Sequence, residues 1–356
     1  MRTQVIKKID FSEQNLYIGL DVHKKSWQVT VLSEAICLKT FTSPPEPNSL
    51  FHFMECNFPG ASYYSAYEAG FSGYATHRQL NALGIENIVV NPADIPRRDK
   101  DSHYKTDKSD SRMIAEALRA GLLKGIYVFD PESEGFRGLF RSRLALAKDI
   151  RRTKGRIKGF LAFKSISIPG EFIRNPKSSK YLNWLKGLDF QFPTARIQLD
   201  QLINNLLFLM EQRRMLEQKL RDTARKRDRH LFKILQTVPG IGPITAIGIM
   251  AEIGEIGRFK HFKQFASYVG LVPRLHQSGE KDQTGSITYR SNNYLRPLLI
   301  ESAWQAVRAD PAMLKYYQEN CLKGNAKKAI VKVARKLLSK IMHVMRNRVK
   351  YERGIA

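Results

Sequence analysis

Asp21, Glu68, Asp107 and Asp110 have the residue types and the placement for joint chemistry. Asp21 closes the short apolar run 17–20, and Glu68 closes the run 62–67. Asp107 and Asp110 stand three apart at the head of a predicted helix, so both project from one face. Carboxylates that converge on one point repel, and at least one is driven to hold its proton unless a cation sits among them. Mg²⁺ suits such a set, because it is hard, octahedral and held by a few carboxylates plus a substrate phosphate. Two such ions, roughly 3.5–4 Å apart, would stabilise the entering and the leaving oxygen of an in-line displacement. Each residue also has a plainer use. Strand-end acids are common in loops, and acids favour the positive end of a helix, where Thr106 or Asp107 could be the N-cap. Asp99, Asp101, His103 and Lys105 nearby read as loop or phosphate-side residues.

Positioning these carboxylates is the task of an α/β segment. Strands are predicted at 17–20, 27–32, 37–42, 62–67 and 87–90, with helices at 50–57, 75–83 and 107–123. Met113, Ile114, Ala117, Leu118 and Leu122 give the last helix its apolar face. Three strands, helix, strand, helix, strand, helix is the order of an RNase H-like mixed sheet, in which a hairpin meander feeds parallel crossovers.

The bulk composition asks for a polyanion. Among 356 residues, Lys plus Arg is 59 and Asp plus Glu is 33, a formal net charge of +26. Each phosphate such a surface neutralises releases condensed counterions, so nucleic acid is the expected partner; an anionic membrane is the rival. A spanning segment is not expected, since no apolar run of 18 or more residues occurs. Residues 1–10 lack the apolar core of a signal peptide. Cys37, Cys56 and Cys321 lack metal-type spacing and read as reduced thiols of a cytosolic protein.

Past residue 135 the character changes. Residues 140–164 form a predicted helix in which Arg141, Arg143, Lys148, Arg151, Arg152, Lys154, Arg156, Lys158 and Lys164 face one acid, Asp149. An ordinary solvated helix mixes its charges for i,i+4 pairing, so this face reads as a nucleic-acid rail. Residues 165–192 read as irregular. Residues 194–229 form a long helix with a heptad-like stripe of Ile197, Leu199, Leu202, Ile203, Leu206, Leu209, Met210, Leu216 and Leu220. Two such helices suggest an antiparallel coiled coil, serving as spacer or dimer contact. Residues 231–356 are mainly helical, with a basic tail from Lys323.

Two C-terminal features bear on chemistry. Val238-Pro239-Gly240-Ile241-Gly242-Pro243-Ile244-Thr245-Ala246 reads as a helix-hairpin-helix-like turn whose glycines bring backbone N–H groups to a DNA phosphate; an ordinary tight turn has the same composition. Downstream, Ser278-Gly279 and Gly285-Ser286 sit among arginines. Such serines are usually turn residues. A serine hydroxyl attacks phosphorus only if its proton is removed and the developing charge is stabilised.

Tyr17-Ile18-Gly19-Leu20-Asp21-Val22-His23-Lys24-Lys25, Lys105-Thr106-Asp107-Lys108-Ser109-Asp110-Ser111-Arg112-Met113-Ile114-Ala115 and the stretch from Pro239 to Arg296 together resemble the IS110/IS1111 family of insertion-sequence transposases, the bridge-RNA-guided recombinases. The resemblance runs through nearly the whole chain. It implies a RuvC-like DEDD domain (1–135), a basic helical coiled-coil insert (136–230) and a C-terminal transposase domain (231–356). It assigns the acidic set to Asp21, Glu68, Asp107 and Asp110, holding one or two Mg²⁺ ions. It places a nucleophilic serine on Ser278, with Ser286 second. It further implies double-stranded donor and target DNA, a structured guide RNA that pairs with both, and a homo-oligomer, dimer or tetramer, in which the two halves of the site meet across subunits. The chain departs from the family pattern after Glu68, where Glu68-Ala69-Gly70-Phe71-Ser72-Gly73 replaces a Glu-(Ala/Ser)-(Thr/Cys)-Gly stretch. The competing expectations are a RuvC-like nuclease or junction resolvase that uses activated water, and a non-catalytic nucleic-acid scaffold.

Overall fold

The computed structural model describes residues 10–96, 107–174, 179–278 and 281–353; of residues 107, 108, 174, 275–278 and 281–284 it describes the backbone. The chain divides into two compact units, Met1–Val128 and Phe129–Ala356.

The first unit is a five-stranded mixed sheet. Strands β1 (Asn15–Val22), β2 (Trp27–Leu32) and β3 (Cys37–Ser43) form an antiparallel meander, and β4 (Ser62–Glu68) and β5 (Glu86–Val90) add in parallel beside β1, giving the order β3-β2-β1-β4-β5. This is α/β and compatible with an RNase H-like DEDD domain. Helices α1 (Pro47–Asn57) and α2 (Ala75–Ala82) supply Leu50, Met54 and Leu80 to a core with Leu16, Ile18, Leu20, Val29, Val31, Tyr63 and Tyr67. Helix α3 (Asp107–Arg119) packs on the opposite face, where Ile114 meets Ala66 and Val90.

A row of small residues makes room for α3. Thr30, Gly19 and Ala66 are register partners across β2, β1 and β4. The Thr30 and Ser111 hydroxyls are 2.9 Å apart and buried. Any side chain on Gly19 would overlap the Ser111 carbonyl and the backbone of Ala115. The helix therefore lies directly on the sheet backbone.

The second unit begins with a helical arm. Helices α4 (Pro131–Phe163) and α7 (Pro193–Leu235) run antiparallel. Arg227 pairs with Glu132 at 2.8 Å and Arg143 with Glu217 at 2.7 Å, while Ile150, Ile157 and Phe160 share a core with Leu199, Ile203 and Leu206. Helix α4 starts nine residues before the expected 140, because Asp130 caps it by accepting from the Ser133 N–H at 2.8 Å and Pro131 fills the first turn. The stretch 165–192, expected to be irregular, contains α5 (Gly170–Arg174) and α6 (Ser179–Lys186), whose Tyr181 and Leu185 are buried. Of the expected stripe, Leu199, Ile203, Leu206 and Leu220 are buried, but Ile197 is 66% exposed. Helix α7 kinks at Asp228, whose φ of −158° and ψ of 88° are not helical.

The rest of the unit packs α8 (Pro243–Ile253), α9 (Phe262–Val269), a hairpin of β6 (Pro273–Ser278) and β7 (Lys281–Ile287), α10 (Leu295–Ala309), α11 (Pro311–Leu322) and α12 (Ala326–Asn347). Val333, Leu337, Leu338 and Ile341 of α12 enter the same core as Ile247 and Ile249 of α8 and Leu299 of α10. Among the described residues no helix is long and apolar enough to cross a membrane.

Candidate active site at a sheet edge

Strand alternation decides which way the acids face. Side chains two apart on a strand share a face. On β1, Leu16, Ile18 and Leu20 enter the α1/α2 core, so Gly19 and Asp21 belong to the face that α3 covers. On β4, Tyr63 and Tyr67 enter the α1/α2 core and Ala66 the α3 core, so Glu68 shares the face of Asp21. Leu20 and Tyr67 are parallel partners; Asp21 and Glu68 follow them, at adjacent strand ends on one face.

Helix α3 brings its first turn to that same edge. Its last residue, Arg119, donates to the Ser33 carbonyl at 3.2 Å, beyond the end of β2. Since β2 is antiparallel to β1, that is the end of the sheet where β1 begins. The other end of α3, with Asp107 and Asp110, therefore lies toward the edge of Asp21 and Glu68. Asp110 is half-buried, and the side chain of Asp107 lies outside the described residues, as do Asp99, Asp101, His103 and Lys105. Among the described residues no three His, Cys, Asp or Glu side chains form a metal-binding group. Carboxylates are the hard oxygen donors that Mg²⁺ takes.

Asp21 is 22% exposed, and its Oδ2 lies 3.0 Å from Nε2 of His23. The turn after Glu68 is tied down: the Ala69 N–H donates to the Val90 carbonyl at 2.8 Å, and the Tyr67 hydroxyl donates to the Gly73 carbonyl at 2.8 Å.

The two candidate serines sit at opposite ends of one hairpin. Ser278 pairs with Lys281 at the tip, with its side chain outside the described residues, while Ser286 is exposed beside the root pair Pro273–Ile287. Tip and root are five residues apart on β6, about 17 Å of strand. The root is fixed by Arg296, which donates to the Thr288 carbonyl at 2.6 Å, and by the Thr288 N–H, which donates to the Val272 carbonyl at 3.0 Å.

Gly240 and Gly242 serve unlike purposes. Gly240 has a φ of 79°, and a side chain there would overlap the Ser302 carbonyl of α10. The approach of α10 and the positive φ both require glycine there. Gly242 has open space around it and precedes α8.

Part of the expected basic rail is internal. Arg141 donates to Glu252 through Nε at 2.7 Å, and Arg143 binds Glu217. From the basic tail, Arg335 donates to the Leu271 carbonyl at 2.7 Å, Arg346 to the Phe259 carbonyl, and Arg348 to Asp228 at 2.8 Å. Lys148, Arg151, Arg152, Arg156, Lys158 and Lys164 remain exposed.

Glu252 went unnoticed in the sequence, although a lone acid in the apolar helix PITAIGIMAEI is a signal. Its side chain is fully buried and accepts from Arg137, Arg141 and Asn292 at 2.7–3.0 Å. Burial pushes its carboxyl up, but the Arg141 and Asn292 hydrogen bonds and the charges of Arg137 and Arg141 outweigh it and hold it below the usual carboxylate range. Asn292 also accepts from the Tyr294 and Leu295 N–H groups at 3.0 Å, so one network joins α4, α8 and the start of α10.

Residues 18–165 match a DEDD transposase model of IS110 type, and residues 232–318 match the family described as transposase IS116/IS110/IS902. A Sinorhizobium fredii protein named as a transposase is 31% identical over 241 residues, which span 68% of this chain and 58% of that protein. A second protein of that organism, also so named, is 28% identical over 91% of this chain and 90% of its own length. The transposase for insertion sequence element IS1533 of Leptospira borgpetersenii is 26% identical over 82% of this chain and 86% of that protein. With family models matched in both parts of the chain and transposases among its relatives, the chain belongs to the IS110/IS1111 family of insertion-sequence transposases.

Proposed function

We propose that this transposase cuts and rejoins DNA through a serine nucleophile, assisted by a divalent cation at Asp21, Glu68, Asp107 and Asp110. The observation that carries the reading is the placement of Asp21 and Glu68 at adjacent strand ends, on the face and at the edge where α3 begins. When bound there, Mg²⁺ would neutralise charge on the phosphoryl oxygens as the transition state forms.

Ser278 is the proposed nucleophile. Its Oγ gives up its proton and bonds to phosphorus, one backbone P–O bond of the DNA breaks, and the departing deoxyribose oxygen takes up a proton, so that no net proton is consumed. The protein is left joined to DNA through a phosphoserine ester. Attack of a new DNA hydroxyl on that ester reverses the bond changes and frees the serine, so strands exchange without an external energy source.

Sequence choice is delegated to a structured RNA that pairs with donor and target DNA. The exposed lysines and arginines of α4 are the rail for phosphate backbones. The protein acts as a homo-oligomer, in which carboxylates of one subunit serve a serine of another.

A denaturing gel after reaction with DNA of the insertion-element ends tests this reading. A covalent protein–DNA band that disappears in Ser278→Ala is expected. A band that survives in Ser278→Ala and disappears in Ser286→Ala moves the nucleophile to the hairpin root. Cutting without any covalent band replaces the serine with activated water, the chemistry of a RuvC-like nuclease. Sequencing of co-purifying RNA tests the guide: one enriched structured species is expected, and random cellular RNA would remove that part.

A further inference from the structure

Phe71 is out of place by the rules that shaped the rest of the first unit. Among that unit's described residues, the exposed large apolar side chains are Ile36, Phe71 and Leu122. Ile36 lies in the β2–β3 turn, and Leu122 lies just past the end of α3. Both belong to the end of the sheet where β1 begins, away from the carboxylates. Phe71, 61% exposed, lies three residues past Glu68 at the carboxylate edge.

Its turn is built rather than slack. The Tyr67 hydroxyl to Gly73 bond, the Ala69 to Val90 bond and a 3.3 Å bond from the Gly73 N–H to the Gly70 carbonyl hold the chain between β4 and α2. Gly73 itself needs its positive φ of 59°. A single exposed apolar side chain is ordinary on a protein surface; one fixed beside a set of carboxylates, with a cation at its face, is less so. Lys24, three residues past Asp21, places Nζ 5.9 Å from the centre of the Phe71 ring. A flat apolar ring with an adjoining ammonium group matches one nucleotide of a single strand: the ring takes the base, which has a π-face whatever its identity, and the cation takes the phosphate.

We infer that Phe71 and Lys24 hold one unpaired DNA nucleotide beside the phosphate at the Asp21–Glu68 edge, with the base stacked on Phe71 and its phosphate on Lys24. This rests on the reading that the carboxylates act on DNA. It adds that the strand is locally unstacked there. Sequence indifference is built in, as suits a protein that leaves sequence choice to base pairing.

Tryptophan in place of Phe71 reports locally on stacking. The test is emission of full-length Phe71→Trp, with the signal of Trp27, Trp184 and Trp304 in the natural protein subtracted. The probes are a short oligo-dT, the same backbone without bases, and oligo-rU of equal length. Quenching by oligo-dT and not by the abasic strand is expected. Equal quenching by both overturns base stacking, and tighter quenching by oligo-rU overturns the assignment to DNA. In the otherwise natural chain, Phe71→Ala should lower the preference for oligo-dT over the abasic strand by about five- to hundredfold; an unchanged preference overturns the inference. Lys24→Ala should weaken both strands alike and reduce the salt slope by about 0.7; an unchanged slope removes Lys24 from the site. Asp21→Asn separates this from the underlying reading: if it still cuts DNA, the carboxylate mechanism falls, whatever the fluorescence shows.

Discussion

Gly19 and Ser111 touch backbone to backbone: the place of a Cβ on Gly19 is taken by the Ser111 carbonyl oxygen. This contact sets the height of α3 above β1, and with it the distance at which the acids of the first helical turn stand from Asp21. Gly19→Ala must lift or tilt the helix. We expect a loss of about 1–3 kcal/mol, the usual cost of overpacking, read by thermal or denaturant unfolding. DNA cutting should fall further than stability explains, because the carboxylates separate. A variant as stable and active as the natural protein would show that α3 does not set the site.

Asp21→Asn and Glu68→Gln keep shape and remove charge. Under the proposed mechanism they remove a cation worth several kcal/mol of transition-state stabilisation, which should lower cutting by roughly a hundredfold or more, with the unfolding midpoint nearly unchanged. Chelation with EDTA should do the same, reversed by added Mg²⁺. Normal turnover in both variants would support a non-catalytic scaffold instead.

Glu252 predicts a pH dependence. Its carboxyl is held low in the folded protein, so its contribution to stability is fully present above the unfolded value, about 4.3, and is lost as pH falls through the folded value. Glu252→Gln should remove that part of the acid-induced loss. At neutral pH it should also lower stability, since Arg137 and Arg141, both partly buried, lose the charge that holds them. Denaturant melts at pH 7 and between pH 5 and 3 check both; parallel curves for the two proteins would contradict the assignment.

The arginines of α4 should divide by exposure. Arg143→Ala should lower stability while leaving the salt dependence of nucleic-acid binding as it was, because its charge is spent on Glu217. Arg151→Ala and Arg156→Ala, on the exposed face, should do the reverse, each flattening the salt slope by about 0.9 on duplex DNA. Binding titrations from low to moderate salt distinguish the two groups.

At Asp228 the side chain caps the last turns of α7 by accepting from the Leu231 N–H at 2.8 Å, and it binds Arg348. The Arg348 hydrogen bonds hold its carboxyl below the ordinary range. Asp228→Ala should cost about 1 kcal/mol, the usual worth of a cap, read as a lower unfolding midpoint. No change would mean that the kink is set by packing alone.

The sequence by itself carried the order of strands and helices in the first unit, since strand and helix periods are local properties of the chain. Asp21, Glu68, Asp107 and Asp110 stood out for the same reason: each lies at or near the end of an element. The sequence also held the Asp130-Pro131 start of α4, a local signal that the basic run from Arg141 obscured. What it did not hold is everything that depends on distant partners. Gly19 reads as a strand glycine until Ser111 lies on it. Arg141 and Arg143 read as nucleic-acid contacts until Glu252 and Glu217 take them up. Ser278 and Ser286 read as turn residues until strand pairing places one near the tip of a hairpin and the other at its root. Charge and periodicity are written along the chain, but which charge remains free for a phosphate, and which acids share a face, follow from contacts between residues far apart in sequence. Those contacts exist only once the backbone has closed on itself.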